Sequence, residues 1–117
     1  MANIFALNNS YTDVQYSGTL DLTKGDDVTI GTSLGFAFKT YDASEDDSVT
    51  VIISCSKVQA QKKAATAIAV GAKVYWDAGN SVITNSSTSN TEVGVCVEDA
   101  ASADTTIIIT WQGYILG

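Results

Sequence analysis

The run Val49-Thr50-Val51-Ile52-Ile53-Ser54-Cys55 decides the fold class. β-Branched side chains crowd the preceding turn of a helix and fit a pleated strand. Period-two spacing places Val49, Val51, Ile53 and Cys55 on one face. A second run of the same character, Thr105-Thr106-Ile107-Ile108-Ile109-Thr110-Trp111, aligns Thr105, Ile107, Ile109 and Trp111. Ile108 is apolar on the opposite side, which predicts a central or interface strand covered on both faces.

Working outward, shorter alternating segments predict strands at 14–20, 27–31, 34–40, 73–77, 81–84 and 92–98. Turn-forming residues fall between them. Lys24-Gly25-Asp26 and Asp77-Ala78-Gly79-Asn80 supply residues that tolerate positive φ, the second as a hairpin signal. Residues 85–90 are Ser, Thr and Asn only and read as an exposed loop. The alanine-rich stretch 59–72 lacks caps and an apolar stripe, so it reads as a loop with at most a short helix.

The order of these segments repeats weakly. Gly25-Asp26-Asp27-Val28-Thr29-Ile30 parallels Gly71-Ala72-Lys73-Val74-Tyr75-Trp76, and Leu34-Gly35-Phe36-Ala37-Phe38 parallels Val93-Gly94-Val95-Cys96-Val97. Each is followed by an Ala/Ser/acid turn and then by Val49–Ile53 or Thr106–Thr110. The expected fold is all-β, a small β-sandwich or partly open β-barrel built from two weakly similar β-units. Residues 1–20 are expected to form an extended, interface-forming N-terminal arm, and 21–117 a single β domain.

Composition narrows the function. Apolar residues make up 45% of the 117 and charged residues 16%, so the chain can bury a core without metals or disulfide staples. The net charge is −7, and all six basic residues are lysines. Phosphate recognition needs clustered Lys and Arg, so nucleic acid is an unexpected partner. No apolar run approaches a membrane-spanning length, and residues 1–10 lack the pattern of a secretory signal. Cys55 and Cys96 sit within β-branched runs and read as buried free thiols.

The chemistry of catalysis is missing. The sequence contains no histidine, hence no usual general base or proton shuttle. Gly31-Thr32-Ser33-Leu34-Gly35 matches the nucleophile-elbow string, but Phe36-Ala37-Phe38 continues as a strand where that motif needs a helix. The acidic stretch Asp42-Ala43-Ser44-Glu45-Asp46-Asp47 lacks the glycine and the terminal carboxylate of an EF-hand loop, where Ile53 stands. It reads as a solvated turn, with weak divalent-ion binding at an assembly interface as the alternative. Lys62-Lys63 reads as a solvating or edge-protecting pair. No catalytic, cofactor-binding or metal-ligating residue is expected. Trp76 reads as core; Trp111 is balanced between core and interface, beside the apolar tail Tyr114-Ile115-Leu116.

The words Gly25-Asp26-x-Val28, Leu34-Gly35-Phe36-Ala37, Ala67-Ile68-Ala69-x-Gly71-x-x-Val74-Tyr75-Trp76-Asp77 and Val93-Gly94-Val95, leading through Asp99–Asp104 to the final strand, resemble the capsid cement (decoration) proteins of tailed bacteriophages. The resemblance runs from Gly25 to Gln112. The first 20 residues, the acidic insert near Asp46 and the extension Tyr114–Gly117 depart from it. It implies a non-enzymatic virion protein on the outer capsid surface, made in the bacterial cytoplasm, that binds the major capsid protein lattice and stabilises the head. The partners implied are the major capsid protein and the chain itself, usually as a homotrimer, with no membrane. Within that reading, Ala2, Asn3, Ile4, Phe5, Ala6 and Leu7 are the candidate capsid contacts, through main-chain strand addition or padding. Trp111, Tyr114, Ile115 and Leu116 are the candidate self-association residues. The rival readings are another virion surface module (head fibre, tail or carbohydrate-binding domain with Trp76 or Trp111 as stacking platform) and an enzyme, which the missing His, Arg and P-loop disfavour.

Overall fold

The computed structural model describes residues 3–112. Nine strands run in chain order: β1 (Phe5–Ala6), β2 (Tyr11–Tyr16), β3 (Asp27–Ile30), β4 (Ser33–Ala37), β5 (Val49–Gln61), β6 (Lys73–Asp77), β7 (Val82–Thr84), β8 (Thr91–Val95) and β9 (Thr106–Gln112). Among the described residues there is no helix. A six-stranded sheet is built on β5, and β7-β6-β8 form a second sheet. All named pairings are antiparallel.

β5 is the spine. Its 13 residues extend about 43 Å at a strand's rise, matching the 41 Å long axis of the molecule. One edge carries β2 and then β1; the other carries β4 and then β9. The expected single face of Val49, Val51, Ile53 and Cys55 is divided. Val49 and Val51 pack with Leu22, Val28, Ala37 and Tyr41, whereas Cys55 joins Ile52, Val58 and Ala60 in the main core. The cause is a register shift opposite β2, where Thr12 and Asp13 face Ser54 and Ile52 and leave Ile53 as an extra residue, so that Cys55 takes the Ile52 face. A second shift opposite β9, between Cys55 and Val58, keeps Val58 and Ala60 on that face. The main core also encloses Phe36, Val74, Trp76, Ile83, Val93, Ile107, Ile109 and Trp111.

Stretch 59–72 corrects the sequence reading at its start. Residues 59–61 belong to β5, paired to Ile108, Ile107 and Thr106. Inward alternation from Val58 and Ala60 then carries Lys62 inside, at 4% exposure, rather than onto the surface with Lys63. Its ammonium donates to the carbonyls of Lys63 (2.9 Å) and Thr66 (2.5 Å), closing the turn that follows β5. Lys62→Ala would leave both carbonyls without that donor, and a loss of about 2 kcal/mol is expected. Lys63→Ala should stay within about 0.5 kcal/mol of the parent, both read by urea denaturation.

The repeat is carried by the backbone. Gly25 N–H donates to Ala37 O and Gly71 N–H to Cys96 O; Ala37 N–H returns to Asp26 O and Cys96 N–H to Ala72 O. Both glycines hold positive φ (90° and 85°), which a side chain resists. Leu22 and Tyr41 exchange two hydrogen bonds, as do Ile68 and Ala100. Lys24 N–H meets Thr40 Oγ1 where Val70 N–H meets Asp99 Oδ1. Phe38 N–H donates to Thr50 O and Val97 N–H to Ile108 O, so Val49 corresponds to Ile107 and not to Thr106. The acidic turn is one residue shorter in the second unit, where the sequence pattern implied two. β3-β4-β5 thus correspond to β6-β8-β9, and the two units join where β5 pairs with β9.

Candidate functional site

The N-terminal segment is extended but docked. Ile4 N–H donates to Gly25 O (3.1 Å), Phe5 and Ala6 pair with Gln59 and Val58, and Leu7 N–H donates to Lys57 O (2.9 Å). β2 continues the attachment, from Tyr11 opposite Cys55 to Tyr16 opposite Val49. The described part of the arm is therefore integral to the six-stranded sheet.

Of the candidate contact residues, Ala2 lies outside the described residues. Ile4 is enclosed in the core at 1% exposure, because its backbone bond to Gly25 turns the side chain inward, so it offers no contact area. Asn3 and Leu7 are exposed and Phe5 and Ala6 half-buried. A cleft of about 150 Å³ opens here, lined by Ile4, Phe5, Ala6, Lys24, Phe36, Ala37 and Phe38. Lys24 Nζ stands 5.9 Å from the centre of the Phe5 ring. Phe38 is 37% exposed, and its ring lies 6.0 Å from that of Tyr11. Phe5, Ala6 and Phe38 thus form an accessible apolar surface, adjoined by Tyr11 and by the following residue of the arm, Leu7. Such a surface on an acidic chain suits a protein contact. Phe38 was not among the sequence candidates; the hint was an aromatic at the end of a strand whose inward positions were already filled by Phe36 and Ala37.

Of the self-association candidates, Tyr114, Ile115 and Leu116 lie outside the described residues. Trp111 is fully buried; its indole N–H donates to Leu34 O (3.0 Å), and its ring meets Phe36 and Trp76 edge-on. It anchors β9 from within and presents no surface. Trp76 is also enclosed, with its N–H on Asp27 Oδ2 (3.1 Å), so neither indole can serve as a stacking platform for a glycan.

The turn carboxylates of Asp42, Asp46 and Asp77 are engaged locally. The Ser44 hydroxyl and N–H both donate to Asp42 and hold its carboxyl below its ordinary range, while Asp46 accepts from Asp42 N–H. These carboxylates serve their own turn. The Asn80 side chain lowers Asp77 in the β6–β7 hairpin in the same way. Cys55 and Cys96 are buried and free, and burial pushes the Cys96 thiol up, away from the reactive thiolate. Among the described residues no group of His, Cys, Asp or Glu is arranged to hold a metal ion.

No curated protein and no solved structure matches the chain. A family profile does, over residues 8–111, which includes β2 to β8 and nearly all of β9. The match begins well before Gly25, where the sequence words began, and leaves out β1 and the segment after Trp111. Two β-units that bury their tryptophans, engage turn carboxylates with their own backbone and leave an apolar face at the arm suit a capsid-associated structural role in the virion. The chain belongs to the phage cement protein family.

Proposed function

We propose that the chain binds the outer surface of the major capsid protein lattice and stabilises the head, without enzymatic activity, as a small homo-oligomer, a trimer in the simplest case. Family membership over residues 8–111 is the observation that carries this reading. The capsid contact is assigned to the arm: Asn3, Phe5, Ala6 and Leu7, extended by Phe38. Physical support comes from apolar side chains left accessible beside a docked strand. A multivalent clamp can then resist internal pressure through modest individual contacts, since each docked subunit raises the effective concentration of the next.

Deleting residues 2–9 would not test this cleanly, because it removes Ile4 and β1 from the core. Leu7→Glu and Phe38→Glu change side chains that are 45% and 37% exposed. Each should leave the urea midpoint nearly unchanged and weaken binding to cement-free capsids about tenfold, the equivalent of 1.4 kcal/mol. Binding curves that superimpose on that of the parent would refute the assignment of the face.

A further inference from the structure

The internal repeat contains its own control. β6 is hydrogen-bonded on both edges, to β8 and to β7. Its counterpart β3 is bonded, among the described strands, to β4 alone. The difference arises in the connections: Gly31 and Thr32 join β3 directly to β4, whereas the path from β6 to β8 includes β7. On β6 the lane is filled by Val82-Ile83-Thr84, opposite Asp77, Trp76 and Tyr75, with Ile83 fully buried. The corresponding stretch of β3 is Thr29-Ile30-Gly31. Thr29 is exposed, Ile30 is half-buried at the margin of the smaller core, and a side chain on Gly31 would meet nothing within 4 Å. Because Ile30 and Ser33 close a two-residue hairpin, alternation turns the Thr29 N–H and C=O away from β4. An open edge beside a half-covered isoleucine is a strand acceptor.

We infer that this lane is filled in trans by Tyr114-Ile115-Leu116 of a second copy of the chain. β7 shows what the lane accepts: three extended residues with a central isoleucine. Tyr114-Ile115-Leu116 has that length, the same central residue and no charge, and begins two positions beyond Gln112. The same chain cannot place all three residues there. Gln112 opposes Ser54 and Phe36 opposes Ile52 on one edge of β5, so β9 and β4 share a lane. The open edge of β3 lies two strand spacings beyond that lane, about 10 Å. The Cα of Tyr114 can lie no more than about 7.6 Å from that of Gln112. The contact joins a donor surface to a different acceptor surface, and such head-to-tail contacts close into rings when the rotation allows. This deepens the self-association part of the proposed function and is independent of capsid binding.

The test is sedimentation equilibrium of the full chain, of Ile115→Asp and of Thr29→Pro. Proline at position 29 removes an outward N–H and no bond to β4; an unchanged urea midpoint verifies folding. The parent should associate, and each variant alone should fall to the monomer mass. An equimolar mixture should regain association, because one variant keeps the acceptor and the other the donor. The Thr29 amide should exchange slowly with solvent deuterium in the parent and rapidly in Ile115→Asp. A monomeric parent, or variants that retain the parent's mass, would overturn the inference. Co-sedimentation of Ile115→Asp with capsids reads the lattice contact separately.

Discussion

Gly94→Ala is expected to unfold the protein at lower urea than any other single-methyl addition, at a cost of at least about 3 kcal/mol. A β-carbon at position 94 would stand 2.0 Å from Thr110 O and 2.6 Å from Thr110 Oγ1. Neither neighbour can withdraw. Thr110 lies within β9, whose flanking residues Ile109 and Trp111 are fully buried, and its Oγ1 accepts the Val95 N–H (3.1 Å). β8 would have to leave β9, and with it the junction between the two sheets. The repeat offers a graded comparison, since a β-carbon on Gly35 would approach Ile52 O at 2.6 Å. Gly35→Ala should therefore also destabilise, but less. Gly79 supplies the neutral case: the nearest atom would lie at 3.5 Å and its φ is not positive. The three urea midpoints, measured with unchanged slopes, check the order.

Trp111→Ala should cost about 3 to 5 kcal/mol, the range for deleting a buried large aromatic. Two edge-to-face partners are lost, Phe36 at 5.5 Å and Trp76 at 6.2 Å, and Leu34 O loses its donor. Trp111→Phe separates these contributions. It keeps most of the apolar area and removes the N–H, so about 1 to 2 kcal/mol is expected. Because the side chain is enclosed, Trp111→Phe should leave the solution mass unchanged. A surface anchor would behave in the opposite way, with little loss of stability and a clear loss of association.

The strands were legible wherever β-branched residues alternated within a few positions, as at Val49–Ile53 and Thr106–Thr110. The repeat was legible for a related reason: glycines at 25, 71, 35 and 94 mark backbone conformations and close approaches that other residues resist. The far half of β5 was harder to read. Ser56-Lys57-Val58-Gln59-Ala60-Gln61 has modest strand preference, and pairing with β9, distant in the chain, decides its state. The register shift between Ile52 and Ser54 arises from pairing with β2, also distant in the chain, so local alternation assigned Cys55 to the wrong core. Lys62 escaped because a lysine is read as solvated by default, and only the turn it closes explains its burial. Ile4 escaped because Gly25, whose carbonyl holds it, lies outside any local window.

The proposed contact face was only partly legible. The first residues were singled out because they depart from the family pattern, whereas the division between buried Ile4 and accessible Leu7 depends on backbone bonds that no pattern records. Phe38 became visible only when Phe36 and Ala37 were seen to fill the inward positions of β4 and its continuation.

Co-sedimentation of the purified protein with expanded, cement-free capsids of its own phage tests the capsid-stabilising role most directly, with the heat resistance of the capsids recorded alongside. Saturable binding that raises the temperature of capsid disruption is expected. A protein that stays in the supernatant at every concentration, with capsid stability unchanged, would contradict it.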